Sequence, residues 1–213
     1  MLRIKRFINE LMSSNCYIVV DEESKHCVCI DPASEKSLRE IEFIDENGLI
    51  LDLILLTHEH TDHNLGVNSL RNSFPDSKLV CSELCNRYVT RFGWAYFLYY
   101  YDDPDYRWEM SPAEILVSNN KDSIAWKGYD IKFILTPGHS YGSICIYIDG
   151  MLFTGDTIMP FKPYFNGWDS NKEEWRESVK MITTLFAEDS VIYPGHGDCI
   201  SLGNWIKQYN DYF

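Results

Sequence analysis

Long apolar runs, linker-like tracts and clustered positive charge are all missing from this chain of 213 residues. No stretch approaches the roughly 20 apolar residues that a membrane-spanning helix needs. The N-terminus lacks the apolar core and the small-residue cleavage site of a signal peptide, so we expect a soluble, cytoplasmic protein. Because no Pro/Gly/Ser-rich tract, low-complexity segment or repeat divides the chain, we predict one compact domain over residues 1–213.

Positive charge is scarce, since 19 Lys and Arg stand against 32 Asp and Glu and give a formal net charge of −13. No run of basic residues along the chain offsets this excess. An acidic surface repels phosphate backbones and anionic membranes. We therefore expect a small-molecule substrate and neither nucleic acid nor a membrane as partner, which disfavours a nuclease.

Cysteine pairs with the spacing of a zinc ribbon or a disulfide framework are also absent. The seven cysteines are odd in number and lie mostly in apolar, strand-like contexts. Cys27-x-Cys29 and Cys81-x-x-x-Cys85 are the close pairs, and neither has zinc-ribbon spacing. Free, buried thiols in a reducing cytoplasm are the expected state.

Histidine is rare as well, but its placement is not random. Only six histidines occur, and five of them lie in short motifs that also carry Asp or Gly. The exception is His26, which we expect at the surface or edge of an N-terminal strand. The densest motif, Thr57-His-Glu-His-Thr-Asp-His63, directly follows the largely apolar run 51–56.

The spacing within this motif predicts half of a two-metal site. His58 and His60 are two residues apart in an extended chain, so both imidazoles lie on the same side of the backbone, where one cation can bind both. Asp62 and His63 follow as the chain turns. They point elsewhere and can serve a second cation nearby.

Three further candidate ligands each follow a short strand-like run. His139 stands in Thr-Pro-Gly-His-Ser, Asp156 in Phe-Thr-Gly-Asp-Thr and His196 in Tyr-Pro-Gly-His-Gly. Each run breaks at Gly or Pro just before the candidate ligand. A purely structural interpretation, with turn glycines and a helix-capping Asp156, leaves this recurrence at strand ends unexplained.

These motifs resemble the metallo-β-lactamase-fold superfamily, whose pattern is His-x-His-x-Asp-His, a distant His, an Asp and a last His. The chain looks like the small glyoxalase II-like members of that superfamily. The resemblance implies an α/β fold, a four-layer αββα sandwich with the metal site at one edge. It also implies seven metal ligands in two sets that share one carboxylate: His58, His60 and His139; Asp62, His63 and His196; and Asp156 in both.

The chemistry expected of such a site is hydrolysis. Two cations that share Asp156 lower the pKa of a bound water from about 15.7 toward about 7, so a metal-bridging hydroxide is available as nucleophile. Asp62 is the candidate catalytic residue, because it can accept a hydrogen bond from that hydroxide as well as bind metal. Cleavage of a thioester, ester or lactone is the leading function. Imidazole and carboxylate ligands suit two zinc ions, the expected cofactor, but iron and manganese tolerate the same set.

Two other classes of function stay open. Persulfide dioxygenases and flavodiiron proteins resemble this fold, so an iron-dependent oxidoreductase is one alternative; His60 in place of Glu disfavours the flavodiiron version. A non-catalytic metal-binding protein is the other. A glutathione thioester is disfavoured, because the stretch 157–168 has Lys162 as its only charge. The 17 residues after His196 also leave no room for a glutathione-binding helical domain.

An aromatic-rich insertion at about 91–112 is this chain's own peculiarity, with nine aromatics in residues 91–108 and no clean periodicity. One interpretation is a packed aromatic cap or a homodimer contact. The other is a lid, in which Trp94, Tyr96 and Tyr99 form a substrate pocket for an apolar or ring-bearing group. The sequence decides neither this question nor the oligomeric state.

Periodicity and turn signals also predict individual elements. A hairpin is expected from strands 17–20 and 27–31. A helix over about 35–47 should place Leu38, Ile41 and Ile44 on one face. A long helix should open at Ser170, where Ser170-x-x-Glu173 forms a capping box. Its apolar stripe should consist of Trp175, Val179, Ile182 and Phe186.

Overall fold

A computed structural model of the chain describes residues 1–9, 12–90, 108–162, 165, 167 and 169–212. The chain forms two compact units, Met1–Leu116 and Val117–Phe213. The prediction of a single domain stays a prediction. Most of the aromatic-rich insertion, including Trp94, Tyr96 and Tyr99, lies outside the described residues. Among those that are described, no helix combines the length and the apolar character that crossing a membrane demands.

The first unit carries a mixed sheet with the strand order β1-β2-β3-β4-β5-β6. The strands are β1 (Leu2–Ile8), β2 (Asn15–Asp21), β3 (His26–Ile30), β4 (Ile50–Leu55), β5 (Lys78–Ser82) and β6 (Ile115–Val117), which ends on the first residue of the second unit. The helices are α1 (Leu38–Glu46), α2 (Thr61–Asn64), α3 (Val67–Ser73) and α4 (Glu83–Val89). The predicted hairpin is confirmed as β2 and β3, whereas strand β1 had no signal in the sequence analysis.

Helical crossovers explain why this sheet changes from antiparallel to parallel. β1, β2 and β3 pair antiparallel through short connections, but α1 separates β3 from β4, and α2 and α3 separate β4 from β5. Such crossovers return the chain in the same direction, and β3, β4 and β5 are indeed parallel. Asp31, the first residue after β3, and Thr57, the second after β4, therefore emerge at the same edge of the sheet.

Helix α1 begins later than predicted, and Ile41 and Ile44 face the core as predicted, but Leu38 does not. Ser37, at the N-cap, has a left-handed backbone (φ 45°) that delays the helix to Leu38. Leu38 is then exposed, while Glu40 and Ile44 are fully buried. Residues four apart share a helix face, so the buried stripe runs through Glu40 and Ile44. The expectation that Leu38 belongs to the apolar face was wrong.

The second unit carries a second mixed sheet, of order β12-β11-β10-β9-β8-β7. Its strands are β7 (Ser123–Trp126), β8 (Tyr129–Leu135), β9 (Ile144–Ile148), β10 (Met151–Gly155), β11 (Val191–Pro194) and β12 (Ile200–Ser201). The helices are α5 (Lys172–Leu185) and α6 (Leu202–Tyr209), followed by a 3-10 turn at Asn210–Tyr212. Strands β7 to β10 form an antiparallel meander, and α5 is the crossover that makes β11 parallel to β10.

Helix α5 packs on this sheet through the predicted apolar stripe. Trp175, Val179 and Ile182 are buried in one cluster with apolar residues of β8 to β11 and with Trp205 of α6. The cap differs from the prediction by one residue: the Asn171 side chain accepts hydrogen bonds from the backbone N–H groups of Glu173 and Glu174. The hydroxyl of Ser170 is engaged elsewhere, because it donates to the Gly167 carbonyl at 2.8 Å. Both units thus combine a mixed sheet with helices, as the α/β class requires.

Candidate metal centre

In the first unit, an extended loop and a single helical turn gather the candidate ligands that follow β4. His60 is extended (φ −66°, ψ 143°) and caps α2, whose one turn contains Asp62 and His63. The ring centroids of His58 and His60 are 4.7 Å apart, and those of His58 and His63 are 4.2 Å apart. The Asn64 side-chain amide donates to the carbonyls of Glu59 and His60 and so ties the loop to the helical turn.

Asp31 and Thr57 set the tautomers of two of these histidines. The carboxylate of Asp31 can only accept, so His63 Nδ1 donates to Asp31 Oδ2 at 3.0 Å. Thr57 Oγ1 donates to the same oxygen at 2.6 Å and therefore accepts from His58 Nδ1 at 3.0 Å. With a proton on Nδ1, each ring carries its lone pair on Nε2. This is the tautomer that a metal-binding imidazole needs.

Sequence reasoning did not include Asp31 or Thr57 in the site. Ligand atoms of Asp31, His58 and His63 lie within 4.8 Å of one another, so Asp31 could be mistaken for a ligand. Its oxygens, however, accept from Thr57 N at 2.8 Å, from Thr57 Oγ1 and from His63. Asp31 is therefore an acceptor that orients imidazoles. The Asp-Pro step that closes the first hairpin and the Thr before His58 are the sequence signals that could have pointed to this pair.

In the second unit, the three remaining candidates emerge at one edge of the sheet. β8 and β10 each pair antiparallel with β9, so they run in the same direction, and β11 is parallel to β10. The strands that precede His139, Asp156 and His196 therefore all end at the same edge. The N–H of Gly195 also donates to the Gly155 carbonyl at 2.8 Å, which joins the residues just before His196 and Asp156.

One oxygen of Asp156 lies at the centre of this group. Nε2 of His139 is 3.5 Å from Asp156 Oδ2, and Nε2 of His196 is 3.6 Å from the same oxygen. In the first unit, His63 Nε2 and Asp62 Oδ2 are 3.7 Å apart. Ligands at about 2.0–2.1 Å from a tetrahedral ion are about 3.3–3.4 Å from each other. The donor types and separations within each unit thus fit a metal ion better than they fit hydrogen bonds, which are shorter.

Close packing against α5 holds the loop that carries His139. A Cβ atom built on Gly138 would lie 2.2 Å from the backbone nitrogen of Trp175, and Gly138 has φ +131°, so only glycine fits. The Gly138 carbonyl accepts from Asn171 N at 2.8 Å, and Ser178 Oγ donates to the Pro137 carbonyl at 2.7 Å. The apparent turn glycine of this motif is therefore a packing glycine.

The cysteines do not compete as ligands. All seven are free, as predicted, and six are buried, whereas Cys199 is exposed. Burial raises the pKa of Cys145 to about 12, and burial together with the nearby Cys29 thiol raises the pKa of Cys16. Because a metal binds the thiolate form, these neutral thiols are poor ligands at neutral pH.

The structure thus places four of the seven predicted ligands together in the first unit and three together in the second. The candidate pocket residues Trp94, Tyr96 and Tyr99 lie outside the part that it describes.

Comparison with known proteins identifies curated relatives of similar sequence. A hydroxyacylglutathione hydrolase of Aeromonas hydrophila is 32% identical over 181 residues, which are 84% of this chain and 60% of the relative. The chain therefore spans less than two thirds of that protein's length. A probable polyketide biosynthesis zinc-dependent hydrolase, BaeB of Bacillus velezensis, is 26% identical over 189 residues, 88% of this chain and 75% of the relative.

Solved structures show the same fold at lower identity. BLEG-1 B3 metallo-beta-lactamase superimposes with a TM-score of 0.84 at 22% identity and covers 96% of this chain and 97% of its own. TTHA1623 in a di-iron-bound form superimposes with a TM-score of 0.81 at 21% identity. The match covers 98% of this chain and 100% of that chain. ETHE1 from Myxococcus xanthus superimposes with a TM-score of 0.77 at 20% identity. The match covers 96% of this chain and 82% of that chain.

A family model described as the metallo-beta-lactamase superfamily matches residues 10–196, which include all seven candidate ligands. The predicted α/β sandwich fold is confirmed by these likenesses. This chain belongs to the metallo-beta-lactamase superfamily.

Proposed function

We propose that this protein is a metal-dependent hydrolase that cleaves a thioester, ester or lactone. The observation that carries the proposal is the position of Asp156 Oδ2, 3.5 Å from His139 Nε2 and 3.6 Å from His196 Nε2. One oxygen that lies at ligand spacing from two imidazoles suits a carboxylate shared between two ions.

The proposed centre uses all seven candidate ligands. It assigns seven ligands to two divalent ions: His58, His60 and His139 to the first, Asp62, His63 and His196 to the second, and Asp156 to both. Membership of the superfamily and the ligand spacing within each unit support this assignment. Zinc is the proposed metal, since neutral imidazoles and carboxylates suit it. The relative named as a zinc-dependent hydrolase adds support.

When bound, two such ions supply Lewis acidity and lower the pKa of a water from about 15.7 toward about 7. The residues of the chain prepare the site for this chemistry. Asp31 and Thr57 hold His63 and His58 with Nδ1 as the hydrogen-bond donor, so that Nε2 is the nitrogen that would bind a metal. Asp62, 8% exposed, would accept a hydrogen bond from the attacking hydroxide and so orient it toward the acyl carbon.

The substrate proposed here is not a glutathione thioester. Lys162 is the only charged residue of the stretch 157–168, and its ammonium lies 5.2 Å from the centre of the Tyr212 ring. Within this stretch, the sole cation that could pair with a glutathione carboxylate is thus already in contact with an aromatic ring. An uncharged thioester, ester or lactone needs no such partner.

A substrate panel tests this function. Purified protein loaded with Zn²⁺ should hydrolyse an uncharged aryl thioester or an acyl lactone with higher kcat/KM than lactoylglutathione. A chelator should remove the activity, and added Zn²⁺ should restore it. Faster turnover of lactoylglutathione would overturn the substrate assignment. Failure of the Zn²⁺-loaded protein to hydrolyse any acyl substrate would overturn the proposal that it is a hydrolase.

An iron-dependent oxidoreductase is the second candidate, and one observation favours it. The fold is shared with a protein solved in a di-iron-bound form, and the same imidazole and carboxylate ligands can hold iron. In this case the protein would bind iron and consume oxygen in the presence of a persulfide. Hydrolysis with zinc and no oxygen consumption with iron would reject it.

A further inference from the structure

The four residues after Asp156, residues 157–160, form no regular secondary structure, yet a side chain binds every one of their carbonyls. We refer to them as the 157–160 segment. The donors, in the order of the carbonyls from Thr157 to Pro160, are Trp175 Nε1 at 2.7 Å, Thr154 Oγ1 at 2.7 Å, Trp205 Nε1 at 2.7 Å and the Tyr209 hydroxyl at 2.9 Å.

Burial explains why these hydrogen bonds matter. Ile158 is fully buried and Met159 is 6% exposed, so water cannot readily satisfy the carbonyls of this segment. Trp175 and Trp205 are each 1% exposed, and an indole N–H can only donate, so each ring needs an acceptor in the core. The buried side-chain donors therefore pair with the carbonyls of the segment. The conformation seen here satisfies the donors and the carbonyls together.

Helix α5 and the 157–160 segment itself also contact the other two ligand loops of the second unit. The backbone of Trp175, in α5, abuts Gly138, the residue before His139. A Cβ atom on Gly197, the residue after His196, would lie 2.7 Å from the Pro160 ring. The 157–160 segment is therefore held by α5 and α6 on one side and packs against the His196 loop on the other.

We propose that Trp175, Trp205 and Tyr209 are positioning residues for the metal ligands of the second unit. Their hydrogen bonds fix the 157–160 segment and so hold the preceding residue, Asp156, with one oxygen between His139 and His196. A ligand site tolerates errors of only about 0.2 Å in its distances, so a loosened segment lowers metal affinity. This inference rests on the proposed metal centre and extends it to residues that do not touch the metal.

Removal of a single hydroxyl tests the inference with little change in packing. Tyr209→Phe deletes the donor to the Pro160 carbonyl and keeps the ring. Tyr147→Phe is the matched control, because Tyr147 lies in the same unit and its ring packs on Phe186 at 5.0 Å. The measurement is Zn²⁺ affinity of metal-stripped full-length protein, by competition with a chelating dye. Thermal unfolding of the same metal-free samples is the second readout.

We expect Tyr209→Phe to bind Zn²⁺ about 3- to 10-fold more weakly than wild type, as the loss of one neutral hydrogen bond implies. Tyr147→Phe should bind as wild type does, and any fall in the unfolding temperature of metal-free Tyr209→Phe should be accompanied by the loss of affinity. Trp205→Phe, which removes a second donor to the segment, should weaken binding further and serves if Tyr209→Phe does not fold.

Three results would overturn the inference. Affinity in Tyr209→Phe could equal that of wild type, the control could lose as much affinity, or metal-free stability could fall without any change in affinity. The last result would assign Tyr209 to core packing alone. Wild-type protein that binds no Zn²⁺ would instead reject the proposed metal centre itself, so the two failures are distinguishable.

Discussion

Single side chains decide which ring nitrogen of each histidine carries the lone pair. Asp31 accepts from His63 Nδ1 directly and receives the Thr57 hydroxyl, which in turn accepts from His58 Nδ1. One carboxylate thus fixes two imidazoles. The sequence motif identifies His58 and His63 because their spacing is local. It does not identify Asp31 as their partner, since that contact spans 32 residues and depends on the parallel pairing of β3 and β4.

The first prediction concerns this carboxylate. An amide in Asp31→Asn has one acceptor oxygen, so it cannot accept from Thr57 N and also from the two donors that share Oδ2, Thr57 Oγ1 and His63 Nδ1. Metal affinity should fall about 10- to 100-fold, as is typical when a partner of a ligating histidine is lost. Asp52→Asn is the control, because it breaks a different His–Asp pair of the first unit, in which His26 Nδ1 is 2.9 Å from Asp52. Equal losses of metal affinity in both variants would contradict this role of Asp31.

A second prediction concerns Glu40, a fully buried carboxyl group that makes no hydrogen bond to another described residue. Burial raises its pKa in the folded protein above the ordinary value. As pH rises above about 4.3, the unfolded chain releases a proton that the folded chain retains, so the free energy of unfolding falls. Stabilisation present below the unfolded pKa is lost as pH rises through the folded pKa.

Glu40→Gln cannot ionise and should abolish this decline. The variant should be more stable than wild type at pH 8, by more than the roughly 0.5 kcal/mol of ordinary surface changes, and the difference should shrink toward pH 4. Urea unfolding at several pH values measures it. Glu42→Gln, exposed on the same helix, should leave the pH dependence unchanged. A pH dependence in Glu40→Gln equal to that of wild type would refute the assignment.

At the scale of secondary-structure elements, the ends of strands position the ligands. This part of the site was predictable from the sequence. Short apolar runs that break at Gly or Pro predicted β8, β10 and β11 because the signals are local. The donors that hold the 157–160 segment were not predictable. Trp175 reads as one member of an apolar stripe, and nothing in its spacing indicates that its N–H meets the Thr157 carbonyl 18 residues away.

The cap of α5 shows the same limit. Ser170-x-x-Glu173 and Asn171 are adjacent candidates for one N-terminus, and both side-chain types are good caps. In the folded chain the Ser170 hydroxyl donates to the Gly167 carbonyl, so Asn171 is the residue that caps the helix. Competition of this kind is invisible in the periodicity from which the helix itself was predicted.

A third prediction tests the close approach of the His139 loop to α5. Gly138→Ala places a methyl group 2.2 Å from the Trp175 nitrogen and strains a backbone at φ +131°. The variant should be destabilised by about 2–4 kcal/mol in urea unfolding. Gly128→Ala measures the cost of backbone strain alone, because Gly128 also has positive φ (+86°) but nothing lies within 4 Å of its Cβ position. Similar losses in the two variants would show that the contact with α5 contributes nothing.

For the molecule as a whole, the fold redistributes charge in a way that the sequence did not show. Arg39 is distant in sequence from Arg3 and Lys5, but all three cations lie 5.4–6.0 Å from the ring of Phe7 or Phe43. Arg3 also pairs with Glu22, and Arg39 donates to the Ile8 carbonyl. The net charge of −13 and the pairing of Arg3 with Glu22 support the proposal that nucleic acid is not a partner.

A fourth prediction concerns the aromatic-rich insertion, which we propose controls access of substrate rather than the chemical step. The proposed ligands all lie elsewhere in the chain. Replacing Trp94, Tyr96 and Tyr99 with Ala should leave metal content unchanged and weaken apolar substrates by about 1–3 kcal/mol per lost contact. Small esters should be hydrolysed almost as before. Equal losses for small and large substrates, or loss of a dimer in sedimentation, would make the insertion structural.

The most direct test of the shared-carboxylate centre is the metal content of wild type and Asp156→Asn, measured by elemental analysis of purified protein. Wild type should contain about two transition-metal ions per chain. Asp156→Asn should contain at most one and lose hydrolysis, because an amide cannot neutralise two cations, while its circular dichroism stays that of the wild type. Asp130→Asn, on an exposed position of β8, should retain both ions. Two ions and near-normal hydrolysis in Asp156→Asn would contradict the proposed centre.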